Sequence, residues 1–254
     1  MSEFLKKAVA TVLTPGFLVV SLSGLCIFHA AQVVARRLGG PRAHRQVVNG
    51  LNGFLMLSLR LLGNRPRLTG DLPEASARPL IVVANHQSTL DVVGLGWYLR
   101  RLSPCFVAKR ELGRGIPSVS YNLRHSGAAL IDRGDPRQSL AEIGKLGARL
   151  REQGGAAVIF PEGTRSKHGG LKPFAAAGVK ILLKKCPEAR VLPVCIHDTW
   201  RLNRFGKFPM GVGERFTWSL LPVIDPAGMT ADAVVQQAEA MIRAESGRLG
   251  GGPS

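Results

Sequence analysis

Between Ala8 and Ala35 the chain carries no Asp, Glu, Lys or Arg: AVATVLTPGFLVVSLSGLCIFHAAQVVA. Pro15-Gly16 interrupts this run, and the part from Phe17 onward would form a helix about 28 Å long at roughly 1.5 Å per residue. That length matches the hydrocarbon layer of a bilayer. A second apolar stretch, Val47 to Gly63, reads VVNGLNGFLMLSLRLLG. The first run lacks the polar face that a core helix normally shows, and it is longer than the apolar part of a signal peptide, about 7–15 residues. The pattern predicts a two-helix membrane-embedded element over residues 1–63, spanning or re-entrant. Lys6 and Lys7 precede it, and Arg36, Arg37, Arg42 and Arg45 follow the first run. Those arginines would face anionic head groups, and the heavier positive charge after the helix puts the remainder of the chain on the cytoplasmic side.

Beyond about Arg65 the pattern changes. Short β-prone runs (PLIVVAN, PCFVAK, GAALI, GAAVIF, RVLPVCI, RFTWSLL) alternate with longer mixed segments. One of these, DPRQSLAEIGKLGARLREQ, has apolar residues at helical spacing behind an Asp135-Pro136 start suited to a helix N-terminus. Such alternation predicts an α/β domain, a mixed and mostly parallel sheet flanked by helices. We expect it to occupy residues 64–247 and to fold without the N-terminal element. The segment DAVVQQAEAMIRAESGR near the end reads as an amphipathic helix covering the sheet, followed by a disordered tail over 248–254.

With 34 Lys and Arg against 17 Asp and Glu, the 254-residue chain has a net charge of +17. An excess of that size points to an anionic partner. Aromatic residues make up only 6%, and there is no ribonucleoprotein motif, zinc-finger spacing or long basic run, so nucleic acid is not expected. Anionic membrane lipid or a phosphorylated substrate fits better. Cys26, Cys105, Cys186 and Cys195 are scattered without a CxxC; they read as reduced core thiols, and no metal site is expected.

Reactive groups in α/β domains collect where strands end and helices begin. Three stretches have that placement: NHQSTLD (Asn85 to Asp91), GAALIDRGD with Asp132 and Arg133, and VIFPEGTRS with Glu162, Thr164, Arg165 and Ser166. In the first, Ser88 and Asp91 match a capping box, in which Asp91 serves only the helix backbone. The alternative has Asp91 accept a proton from His86 Nδ1, leaving Nε2 free as a base. With no nucleophile nearby, the attacking group would be a substrate hydroxyl. In the third, Pro161 ends a strand and Gly163 allows close approach or a positive φ. Arg165 would then offer a planar fork to a phosphate, and Glu162 would contact a substrate hydroxyl or organise the loop.

NHQSTLD and FPEGTRS together resemble the paired motifs of the glycerolipid acyltransferases that carry NHxxxxD. They are most similar to the 1-acyl-sn-glycerol-3-phosphate acyltransferase family. The block ending Ile131-Asp132-Arg133, the Lys109 to Leu112 stretch and Val191 to Val194 occur in that family's order, and the resemblance runs from about Gly70 to Asp225. It implies transfer of an acyl group from acyl-CoA or acyl carrier protein to the sn-2 hydroxyl of a lysophospholipid acceptor, with no cofactor beyond the acyl donor. His86 would be the general base and Asp91 its orienter. Lys109, Arg133 and the loop residues Glu162, Gly163, Thr164, Arg165 and Ser166 would bind substrate. An N-terminal two-helix membrane motif is also a family feature. The chain departs from the pattern at Ala175 and Ala176, where many relatives carry lysine; here Lys172 stands ahead of Phe174. That leaves another lysolipid, such as a lyso-aminolipid or lysophosphatidylglycerol, as an alternative acceptor. A non-catalytic basic membrane adaptor is the rival from a different class, but an adaptor needs no positioned base.

Overall fold

The computed structural model of the chain describes residues 2–74 and 78–250. Seven strands form one sheet: β1 (Arg65–Thr69), β2 (Leu80–Ala84), β3 (Pro104–Lys109), β4 (Ala129–Ile131), β5 (Ala156–Ile159), β6 (Arg190–His197) and β7 (Arg215–Leu220). Their spatial order is β1-β7-β6-β2-β5-β3-β4. All neighbours are parallel except β6 and β7, which confirms the mixed, mostly parallel sheet. The central strands β2 and β5 are buried at every position, as expected of apolar runs covered on both faces. The alternating pattern does not reveal β1. It is a half-exposed edge strand with Pro66 and two arginines, and its place is set by pairing with β7 rather than by its own composition.

Helices α2 (Leu90–Tyr98), α3 (Val119–His125), α4 (Pro136–Gln153), α5 (Ala177–Lys185) and α6 (Ala231–Gly250) flank the sheet. Asp135 caps α4, its side chain accepting from Gln138 N at 2.9 Å ahead of Pro136 at the first helical turn. On one face Ile143, Leu146 and Leu150 of α4 join Val234, Val235, Ala238 and Ile242 of α6 over β2, β5 and β6. Residues 248–250 of the expected tail belong to α6, and residues 251–254 lie outside the described residues.

The other face is covered by the N-terminal element. It is a single helical run, α1 (Glu3–Ser58), divided only at Gly40 into two arms, and Pro15 does not break it. Gly40 folds the run back on itself with φ 68 and ψ −157, a conformation that only glycine adopts without strain. Pro41 follows, where its missing N–H is no loss. The two arms pack against each other through Phe28 on Phe54, 5.8 Å between ring centroids, and Ser21 beside Ser58 at 3.4 Å. Helix α1 has two distinct sides. Ala10, Thr14, Phe17 and Gln32 are buried, with Ala10 and Phe17 in one cluster with Leu59, Leu62, Leu202, Val212, Phe216 and Trp218. Val12, Val19, Ile27 and Val34 form an exposed stripe, accessible at 78, 65, 68 and 54%. Apolar surface on this scale is unusual facing water.

Helix α1 thus packs into the core of the α/β domain. Helix α1 is also tied down by polar contacts: Met210 N donates to Thr14 Oγ1 at 2.9 Å, Arg204 bridges Glu3 and Glu214, and Ser118 N donates to His29 Nδ1 at 3.2 Å. All four cysteines are free; Cys186 and Cys195 are core thiols as expected, while Cys26 is exposed on α1.

Deleting residues 1–63 should abolish cooperative thermal unfolding, because it strips Phe17, Met56, Leu59 and Leu62 from the core beneath the sheet. The full chain should float with lipid vesicles at high salt, since attachment through an apolar stripe is not screened. Release of the full chain by salt alone would contradict this, as would a sharp transition in the deletion variant.

Candidate active site

Strand β2 ends at Ala84, and the next residues turn into α2. Asn85 fixes that turn from the sheet side. Its amide donates to Ile196 O at 2.8 Å and accepts from Ile196 N at 2.7 Å, so β6 holds the side chain as it would another strand. His86 follows, with Nδ1 2.7 Å from Asp91 Oδ2. A carboxylate only accepts, so Nδ1 carries the proton. Nε2 has no hydrogen-bond partner among the described residues. The ring stacks on Phe160, 4.2 Å between centroids at 20°.

Asp91 is fully buried. Its Oδ2 also accepts from Gln87 N at 2.6 Å and Ser88 N at 2.8 Å, and its Oδ1 accepts from Thr199 Oγ1 at 2.5 Å. The two readings of this carboxylate therefore hold together. It reaches back to the Ser88 N–H as the acidic member of a capping box does, and in the same position it holds the imidazole.

The loop after β5 closes onto this turn. Phe160 to Gly163 form a β-turn with Pro161 at its second position and Gly163 N donating to Phe160 O at 3.1 Å; Gly163 takes φ 69. Glu162 points inward, with Oε1 accepting from His86 N at 3.2 Å, and Ser166 N donates to His86 O at 2.7 Å. Both loop residues thus clamp the backbone of His86 itself. Arg165 turns outward and reaches back across the mouth, donating from one guanidinium nitrogen to Thr89 Oγ1 at 2.7 Å. Lys172 folds over the loop to Thr164 Oγ1 at 2.7 Å and Arg165 O at 3.0 Å.

Lys109 and Arg133 leave the same sheet edge from β3 and β4. These strands lie two and three places from β2, or about 10 and 14 Å at the usual strand spacing. Both are exposed. Lys109 pairs with Glu111 at 3.1 Å, and a hydrogen bond from its own backbone, with Lys109 and Arg133 adding their charge, holds Glu111 below the usual carboxylate range. The structure thus gathers His86, Asp91, Glu162 and Arg165 tightly, with Lys109 and Arg133 further along the rim. Arg65 and Arg215, paired at the starts of β1 and β7, stand at this edge too. Sequence reasoning gave no role to Asn85 or Phe160 and passed over Thr199. The first two open the recognised motifs themselves, whereas Thr199 is 108 residues from Asp91 and lies in no motif.

Burial pushes the Glu162 carboxyl up to about 7, and the Asp91 charge adds to this against the lowering by His86 N–H and Lys172. Oε2 is buried without a partner among the described residues; a proton there disrupts no hydrogen bond.

A family model described as Acyltransferase matches residues 65–197, and the chain belongs to that family. It is 41% identical over 127 residues to a Helicobacter pylori 1-acyl-sn-glycerol-3-phosphate acyltransferase, covering 48% of this chain and only half, 50%, of that protein. A Pseudomonas aeruginosa protein of the same name is 28% identical over 209 residues, covering 80% and 77%. The crystal structure of the 1-acyl-sn-glycerophosphate (LPA) acyltransferase PlsC from Thermotoga maritima shares the fold, with TM-score 0.80 over 98% of this chain and 99% of that one at 22% identity.

The pH dependence of stability tests the state of Glu162. Its folded value of about 7 exceeds the ordinary 4.5, so the folded state binds more protons between those values and stability falls as pH rises through that window. Denaturant titrations at pH 5 and pH 7 should show that fall, and Glu162→Gln should flatten it. An unchanged slope in the variant would show that Glu162 titrates normally.

Proposed function

We propose that the protein transfers an acyl group from acyl-CoA or acyl carrier protein to the sn-2 hydroxyl of 1-acyl-glycerol-3-phosphate, giving phosphatidic acid. One observation carries the reading: a histidine held through Nδ1 by a buried carboxylate, with Nε2 free, faces an edge that also presents Arg165. The names of the relatives agree with it. A basic adaptor has no use for an imidazole held by a buried carboxylate with its other nitrogen left free.

In this mechanism His86 Nε2 takes the proton of the acceptor hydroxyl as its oxygen attacks the thioester carbonyl. Asp91 keeps the ring in the reactive tautomer and stabilises the imidazolium that forms. Collapse of the tetrahedral adduct breaks the carbon–sulfur bond, and the thiolate recovers the proton from His86. The glycerol phosphate binds Arg165 through a charge-assisted fork. Glu162, Gly163 and Ser166 hold the loop, Thr164 with Lys172 shapes it, and Lys109 and Arg133 attract the anionic parts of either substrate. The acyl donor is a substrate, and no cofactor enters.

The exposed stripe of α1 fits the boundary of one leaflet. Its opposite side is engaged with the sheet along much of the helix, so the reading favours a helix lying in the membrane surface over one crossing it. Arg36, Arg37, Arg42 and Arg45 at the fold-back then meet anionic head groups, with the catalytic domain on the cytoplasmic face.

Thiol release from acyl-CoA, measured with and without lysophosphatidate, tests the reaction. Loss of a general base costs about 10²–10⁴-fold, so His86→Ala retaining more than about a tenth of the rate would overturn the assignment. Asp91→Asn should lower kcat severely without unfolding the protein.

Arg165→Lys keeps the charge but loses the fork, and should raise KM for lysophosphatidate by about one to two powers of ten while the donor's KM changes little. A rise confined to the donor would move the acceptor phosphate to Lys109 and Arg133. A parallel panel of lysophosphatidylglycerol and lyso-aminolipid separates the alternative acceptors.

A further inference from the structure

Asp91 is the group on which the orientation of His86 rests, and its two oxygens are held from different parts of the chain. The donors to Oδ2 are local: His86 Nδ1 and the Gln87 and Ser88 N–H groups. Oδ1 is held by Thr199 Oγ1 alone among the described residues, at 2.5 Å. Thr199 is itself fully buried. It opens a 3₁₀ turn, Thr199–Asn203, entered through Asp198 in the left-handed region at φ 65. In such a turn side chains three apart eclipse, which stacks Leu202 behind Thr199. Leu202 is buried in the same cluster as Ala10 and Phe17 of α1. Asp198 is fixed in turn by Arg201, whose Nε donates to Oδ1 at 2.7 Å. The hydroxyl is therefore positioned from behind by packing and from the side by an ion pair, and of its two acceptors Asp91 Oδ1 at 2.5 Å is far closer than Gln87 Oε1 at 3.4 Å.

We infer that Thr199 is a positioning residue for the acyl transfer: by binding Asp91 Oδ1 it fixes the rotation of the carboxylate, and through it the direction of His86 Nε2. This rests on the reading of His86 as the base. Without the hydroxyl, Oδ2 keeps its three donors, so the loop survives. Oδ1 is left buried and unpaired, however, and the carboxylate, pinned through Oδ2 alone, can make small rotations about its Cβ–Cγ bond. Such rotation moves the acceptor of the Nδ1 proton and misaligns the ring relative to a bound hydroxyl. Substrate binding at Arg165 and along the rim does not involve Thr199.

The experiment compares the full-length wild type with Thr199→Ser, Thr199→Val and Thr199→Cys in vesicles, following thiol release with lysophosphatidate as acceptor. His86→Ala is run beside them. Thr199→Val has nearly the volume of threonine and lacks only the donor; kcat should fall about 10- to 100-fold, the range for losing a hydrogen bond to a charged group. Both KM values should stay within about twofold. Thr199→Ser should restore most of kcat. Thr199→Cys, with a weak donor, should fall between serine and valine, and it decides the matter if the valine variant does not fold. A kcat for Thr199→Val within twofold of wild type overturns the inference, as does a serine variant as slow as valine or a loss that appears in KM. An inactive wild type, or an active His86→Ala, would instead overturn the reading of the base.

Discussion

A carboxylate taken fully out of water keeps its charge only if donors replace its hydration shell. Asp91 has four: an imidazole N–H, two backbone N–H groups and a threonine hydroxyl. Much of the site's geometry follows from that requirement. The two N–H groups force the tight turn after β2, the imidazole is drawn to the same oxygen, and the hydroxyl brings the far end of β6 into the site. Asn85 adds a second tie between these strands one residue earlier. The result is an imidazole whose direction is set by the fold itself, as a positioned base would require.

The second carboxylate shows how environment divides labour between like groups. Asp91 is saturated with donors. Glu162, half-buried nearby, has one weak backbone contact at Oε1 and none at its buried Oε2 among the described residues. Burial and the adjacent Asp91 charge favour its proton. A neutral Glu162 adds no second negative charge beside Asp91, while still holding the His86 backbone. Lys172 and Arg165 are then free to set the local positive field.

The N-terminal helix unites two tasks usually given to separate parts. One side of α1 completes the core over β6 and β7, and the other is an apolar stripe with no protein against it. A helix that is apolar all round is suited to both. The packing of Ala10 and Phe17 with Leu202 sets α1 against the 3₁₀ turn that holds Thr199, so the helix with the exposed apolar stripe and the support of Asp91 belong to one core.

The sequence determined what is encoded over a few neighbouring residues. The five-residue spacing of His86 and Asp91 at a strand-to-helix seam, the Pro161 and Gly163 turn that presents Arg165, and the Asp135 cap of α4 all work through local geometry. Six of the seven strands were legible as short β-prone runs, most clearly β2 and β5, where burial on both faces demands continuous apolar residues. The tertiary structure alone decided the rest. The edge strand β1 is polar and takes its conformation from β7. The inward turn of Glu162 depends on a contact across 76 residues, the Thr199 bond to Asp91 spans 108, and the Asn85 clamp spans 111. Residues so far apart share no local constraint; only the parallel sheet, by bringing the ends of β2, β5 and β6 to one edge, makes them neighbours. Composition marked α1 as apolar, but which of its sides is buried is fixed by what packs against it: Ala10 and Phe17 lie in the core, whereas Val12, Val19, Ile27 and Val34 stay exposed.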